Sequence, residues 1–140
     1  MALKVNQVST WAAWMEDRPG NLAAKLDVLA KAGANLEFVI ARRTLEDPGN
    51  GVVFVTPIRG AAEGRAARAA GFHRSESLHA VRIEGSDKPG QVVKIAQALA
   101  EKGLNLHGLC AATLGRKFVV HILLEDPAEV SKAIRVLKKL

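Results

Sequence analysis

Apolar positions in this chain change period several times, and the changes mark out its elements. Leu3, Val5 and Val8, followed by Trp11 and Trp14, predict one long strand over residues 3–15. Leu22, Leu26 and Leu29 recur at i, i+4 and i+7, with Lys25 and Lys31 off that stripe, and predict an amphipathic helix over 19–32. Gly33 stands where a helix C′ glycine is expected. A strand over 35–44, a hairpin at Glu46-Asp47-Pro48-Gly49-Asn50-Gly51 and a returning strand over 52–57 come next. An Ala/Arg helix over 61–70 ends at Gly71. The pattern then starts again: a strand over 72–84, a helix over 89–102, strands over 104–113 and 117–124, and a helix over 127–139. Trp11 and Trp14 are three apart, so on a regular strand they face opposite sides and one of them enters the core.

The second half repeats the first. Asp17-Arg18-Pro19-Gly20-Asn21-Leu22 returns 70 residues later as Asp87-Lys88-Pro89-Gly90-Gln91-Val92. Gly33, Asn35 and Leu36 have counterparts in Gly103, Asn105 and Leu106 at the same spacing. A repeat of this length fixes the architecture before any single residue does. Each copy reads as βαββαβ, the ferredoxin-like pattern, giving an α+β protein of two units side by side, with antiparallel sheets and helices on one face. The expected boundaries are 1–78 and 79–140. The second copy ends without a fourth strand, and residues 2–8 occupy the repeat position of 72–78. The N-terminal strand is therefore expected to complete the second unit's sheet.

Each repeated turn follows a strand and opens a helix. Asp17 and Asp87 are read as N-caps, Pro19 and Pro89 as first-turn residues, and Gly20 and Gly90 as points where another group approaches the backbone. Such a turn leaves unpaired N–H groups at a helix start, a site suited to a carboxylate.

Composition narrows the partners. The chain has a net charge of +6, but its Lys and Arg residues are spread over both halves and it contains no Tyr. That speaks against a nucleic-acid groove with stacking platforms. No apolar run reaches the length of a membrane span, and Met1 to Gln7 has no signal-peptide core. Cys110 is the single cysteine, so no internal disulfide can form and a reducing cytoplasm is the expected setting. His107 and Cys110 lie three apart on a strand and face opposite ways, and the remaining histidines are scattered, so no metal is expected. No nucleophile with a neighbouring base and no carboxylate pair stands out, so neither catalysis nor a cofactor is expected.

A βαββαβ unit with Asp-Arg/Lys-Pro-Gly after its first strand and Gly-x-Asn-Leu before its second resembles the ACT domain. Here the resemblance covers almost the whole chain, in two copies. It implies a stand-alone tandem-ACT protein: a regulatory module that binds an amino acid or a related carboxylate, without activity of its own. A separate enzyme or regulator is the expected partner of such a module, and because exposed sheet edges seek partners the chain is also expected to form at least a homodimer. In serine-binding members the effector lies between the turn of one domain and an Asn that opens the second strand of its neighbour. The matching positions here are Asp17, Arg18, Gly20, Asn21 and Leu22 with Asn35, and Asp87, Lys88, Gly90, Gln91 and Val92 with Asn105. Asp17 and Asp87 stand where those members have a turn Asn, and Met15 and Gly85 where some have a His. The alternative reading is a constitutive assembly module with vestigial pockets.

Overall fold

The structure, a computed structural model, describes residues 3–76 and 78–140. The chain divides into two compact units. The first is Ser9–Ser75, and the second joins Met1–Val8 to Glu76–Leu140.

The first unit contains β2 (Trp11–Glu16), α1 (Asn21–Lys31), β3 (Phe38–Arg43), β4 (Asn50–Thr56), α2 (Gly60–Ala69) and β5 (His73–Arg74). Its sheet runs β3-β4-β2-β5, antiparallel throughout. The second unit contains β1 (Lys4–Val8), β6 (His79–Ser86), α3 (Gln91–Glu101), β7 (Gly108–Leu114), β8 (Lys117–Leu124) and α4 (Pro127–Leu137). Its sheet runs β1-β6-β8-β7, also antiparallel. Each order is that of the ferredoxin-like fold. In the second unit the fourth strand is β1, paired to β6 from Lys4↔Glu84 to Val8↔Ala80, as the repeat arithmetic anticipates.

The two long strands expected at 3–15 and 72–84 are each interrupted. The first breaks at Ser9-Thr10, and the second falls into β5 and β6. Each half of an interrupted stretch pairs in a different sheet, and one straight strand could not serve both ladders.

Alternation buries one face of each sheet under its helices. In the first unit Trp11, Ala13, Val53, Val55 and Phe72 pack with Leu29 of α1 and Ala67 of α2. In the second, Val5, Val81, Ile83, Val120 and Ile122 pack with Ile95 and Leu99 of α3 and with Val130, Ala133 and Leu137 of α4. Trp11 is buried and Trp14 is 60% exposed, the division that their spacing of three requires. Helix ends follow the glycines. The amides of Ala34 and Gly33 return to the carbonyls of Leu29 and Ala30, and those of Leu104 and Gly103 to Leu99 and Ala100, a Schellman motif in each copy.

On the face of the second sheet away from the helices, Glu84 bonds Arg82 at 3.0 Å and Lys117 at 3.2 Å. The hydrogen bond from Arg82, then the one from Lys117, hold its carboxyl below the ordinary value of 4.5. A depressed folded-state value contributes stability above the unfolded value and loses it as the pH falls through the folded one. Glu84→Gln is therefore expected to melt earlier than the wild type at pH 7. The gap should close as the pH drops from 4.5 downward. Thermal melts on both sides of that window check it, and a gap that persists in acid would remove the ion pairs as its cause.

Candidate functional site

The repeated turn is built differently from the cap read in the sequence. Helix α1 begins at Asn21, its N-cap is Gly20 in the left-handed region (φ 89°, ψ −17°), and no side chain caps it. Helix α3 begins at Gln91 behind Gly90 (φ 83°, ψ 3°), again without a side-chain cap. Those angles at the third turn residue, with Pro at the second, define a type II turn. It is closed by the amide of Asn21 on the carbonyl of Arg18 at 3.3 Å, and by Gln91 on Lys88 at 3.4 Å. Asp17 and Asp87 thus lie three residues before the cap, and the N-cap role expected of them is not theirs. Pro19 and Pro89 precede the helices for the same reason. A direct Asp-Pro step does cap: Asp126, followed by Pro127, accepts from the Ala128 amide at 2.9 Å in α4.

Backbone and amide side chains brace the turn in both copies. The Asp17 amide donates to the Gly49 carbonyl and the Asp87 amide to Arg116, tying each turn to the hairpin beside it. Asn21 Nδ2 donates to the Glu16 carbonyl at 2.8 Å, and Gln91 Nε2 to Ser86 at 3.2 Å. Asn21 and Gln91, expected as ligand contacts, spend these donors on the turn. The first intrahelical donors are Ala24 on Gly20 and Lys94 on Gly90. The amides of Leu22 and Ala23, and of Val92 and Val93, precede them and form the open end of each helix. A Cβ added at Gly20 or Gly90 would meet nothing within 4 Å, so space outside each turn is clear.

A cavity opens at each turn. In the second unit it measures about 420 Å³ and is lined by Asp87, Lys88, Gly90, Gln91, Val92 and Val93 from the turn and helix. Ala111, Ala112 and Thr113 of β7 and Phe118 of β8 complete it. In the first unit it measures about 240 Å³ and takes Asp17, Arg18 and Leu22 with Met15, Glu16, Ala41, Arg42, Arg43 and Gly51.

Beneath each cavity one row of side chains crosses three strands on the helix face. In the first unit it is Met15↔Gly51↔Arg43, and in the second Gly85↔Phe118↔Thr113. Bulk and glycine have changed places. A Cβ on Gly51 would meet the Met15 methyl at 3.7 Å, and one on Gly85 would meet the Phe118 ring at 2.7 Å. At the cavity mouth of the first unit, Arg43 Nε bonds Asp17 Oδ2 at 2.6 Å and Arg18 pairs with Glu16 at 2.9 Å.

The turn residues named from sequence are therefore brought to cavities, with the exception of Gly20 and Asn21, which do not line theirs. Asn35 and Asn105 line neither cavity. Each is exposed in the loop before β3 or β7, while the lining residues sit at the far end of those strands. At about 3.3 Å per residue the separation along the strand is roughly 20 Å. Lining residues that sequence reasoning did not single out include Arg43, Gly51, Thr113 and Phe118. Arg43 and Thr113 stand at the repeat offset, but only the cross-strand register brings them beside the turns.

No family model matches the chain, and no curated protein does. Solved structures match over nearly its full length. A protein from Bacteroides thetaiotaomicron superposes with a TM-score of 0.79 at 19% identity, covering 96% of this chain and 89% of that one. The ligand-free regulatory subunit of aspartate kinase from Thermus thermophilus gives 0.67 at 18% identity, covering 99% and 96%. Aspartokinase III of E. coli, solved with aspartate and ADP, gives 0.61 at 15% identity, with 99% of this chain on 32% of that one. The fold is the ACT type, in two copies, as the repeated motifs implied.

Proposed function

We propose that this chain is a small-molecule sensor of amino-acid metabolism. It binds an amino acid or a related carboxylate at the turn cavities and passes the signal to a separate enzyme, without catalysing a reaction itself. The observation that carries this reading is the repeated cavity. In both copies the first residues of an open helix and an acidic turn residue, Asp17 with Leu22 and Asp87 with Val92, converge on one hollow, and in the second copy the left-handed Gly90 lines it as well. Backbone N–H groups suit an α-carboxylate, and the Asp side chain suits an α-ammonium. Structural likeness to regulatory subunits of aspartate kinase supports the metabolic setting. On this reading the protein works in the cytoplasm as a homodimer.

Calorimetric or thermal-shift titration with each of the twenty amino acids tests it. Stabilisation follows RT ln(1 + [L]/Kd), so ligand at a hundred times Kd adds about 2.7 kcal/mol, a shift that a melt resolves. No response to any of them would move the assignment to the second reading, a constitutive assembly module. That reading has one observation of its own. β3 and β7 are edge strands that keep Val39, Leu109 and Leu114 exposed, and an unpaired edge invites another chain. Recovery of a partner enzyme from lysate without added effector would favour it.

A further inference from the structure

The two cavities share a plan and differ in what their charges already do. In the first unit the Asp17 carboxylate is held by Arg43 at 2.6 Å, and Arg18 by Glu16. In the second unit the Arg43 position is Thr113, and among the described residues Asp87 has no ion-pair partner. The second cavity is also larger, about 420 against 240 Å³.

We infer that only the second unit's cavity takes a zwitterionic amino acid, and that Arg43 closes the first one to it. This rests on the amino-acid-sensor reading and assigns that function to one site of the two. An α-ammonium entering the second cavity meets an uncommitted carboxylate. In the first it meets a carboxylate that Arg43 already neutralises, with a guanidinium of its own sign beside it. Loss of one hydrogen bond between charged groups weakens binding by about ten- to a hundredfold, and like charge adds to that. A mouth-lining Arg is thus a specificity device: the same turn is kept in both copies, and in the first one Arg43 holds the carboxylate that the second leaves open.

The test is a ¹⁵N–¹H spectrum of the full chain, recorded with each of the twenty amino acids at up to about 10 mM, well above a micromolar Kd. The amides of Val92 and Val93 report on the second cavity, and those of Leu22 and Ala23 on the first. In the wild type only Val92 and Val93 are expected to move with the amino acid that binds. In Arg43→Thr, an exposed position, Leu22 and Ala23 should move too, with a midpoint about ten- to a hundredfold lower than in the wild type. Thr113→Arg should raise the midpoint of the second cavity by a similar factor. Leu22 and Ala23 responding at wild-type Arg43 as readily as Val92 would overturn the inference and leave the sensor reading standing. So would Arg43→Thr if it left them silent while Val92 still responds. If none of the twenty moves any of the four amides, the sensor reading itself falls.

Discussion

Removal of residues 1–8 is expected to unfold the second unit while leaving the first one folded. β1 contributes five residues of ladder to β6 and places Val5, 6% exposed, in a core otherwise made by α3, α4 and their sheet. Burying a valine of this kind is worth about 1.5–3 kcal/mol, Leu3 packs against the same core, and each ladder bond adds about 0.5–1.5 kcal/mol. A loss of at least about 4 kcal/mol is a large share of the roughly 5–15 kcal/mol that holds a domain folded. In a unit of this size it corresponds to a fall of about 15–30 °C in melting temperature. Hydrogen exchange read at Val81, Val120 and Ile122 against Val53 and Val55 separates the two units. Equal protection in truncated and intact protein would show that β1 is dispensable.

The second large effect belongs to the row under the cavity. Gly85→Met places in the second unit the residue that the first copy carries at that position. It does so where even a Cβ would lie 2.7 Å from the Phe118 ring and 2.8 Å from Leu3. Overpacking a closed core costs about 1–3 kcal/mol. Phe118→Gly alone leaves the volume of a buried ring empty and costs about 3–5 kcal/mol, as Phe truncations do. The double variant rebuilds the first unit's arrangement of Met opposite Gly. It is expected to be more stable than Phe118→Gly alone, which denaturant melts of the four proteins measure as a coupling energy. Additive losses would mean that the two positions do not share one space.

Much of the fold was written in local pattern. The stripes Leu22-Leu26-Leu29 and Val92-Ile95-Leu99 mark helices, Gly33, Gly71 and Gly103 stop them, and the repeat alone places β1 in the distant sheet. The break at Ser9-Thr10 was not legible, because Ser-Thr without Gly or Pro is a weak turn signal and the cause is a ladder partner tens of residues away. The Asp17 cap was misread for a local reason. Pro-Gly can open a helix or make a type II turn, and Gly20 at φ 89° chose the turn. The turn half of the candidate site was legible from the repeat itself. The strand half was not. Arg43 and Thr113 acquire meaning from cross-strand register, and Asn35 and Asn105 stand at the opposite ends of the same strands.

The exchanged bulk of Met15/Gly51 and Gly85/Phe118 bears on how the gene could have changed. Two copies of one repeat in a single reading frame are open to sequence exchange with each other. An event that carries the first copy's Met strand into the second sets Met against Phe. One that carries only the second copy's Gly strand into the first sets Gly against Gly, over a hole. Either product is expected to be less stable than its parent, by crowding in one case and by an empty space in the other. Exchange of a single strand between the copies therefore carries a stability cost that exchange of the matched Met/Gly or Gly/Phe pair does not.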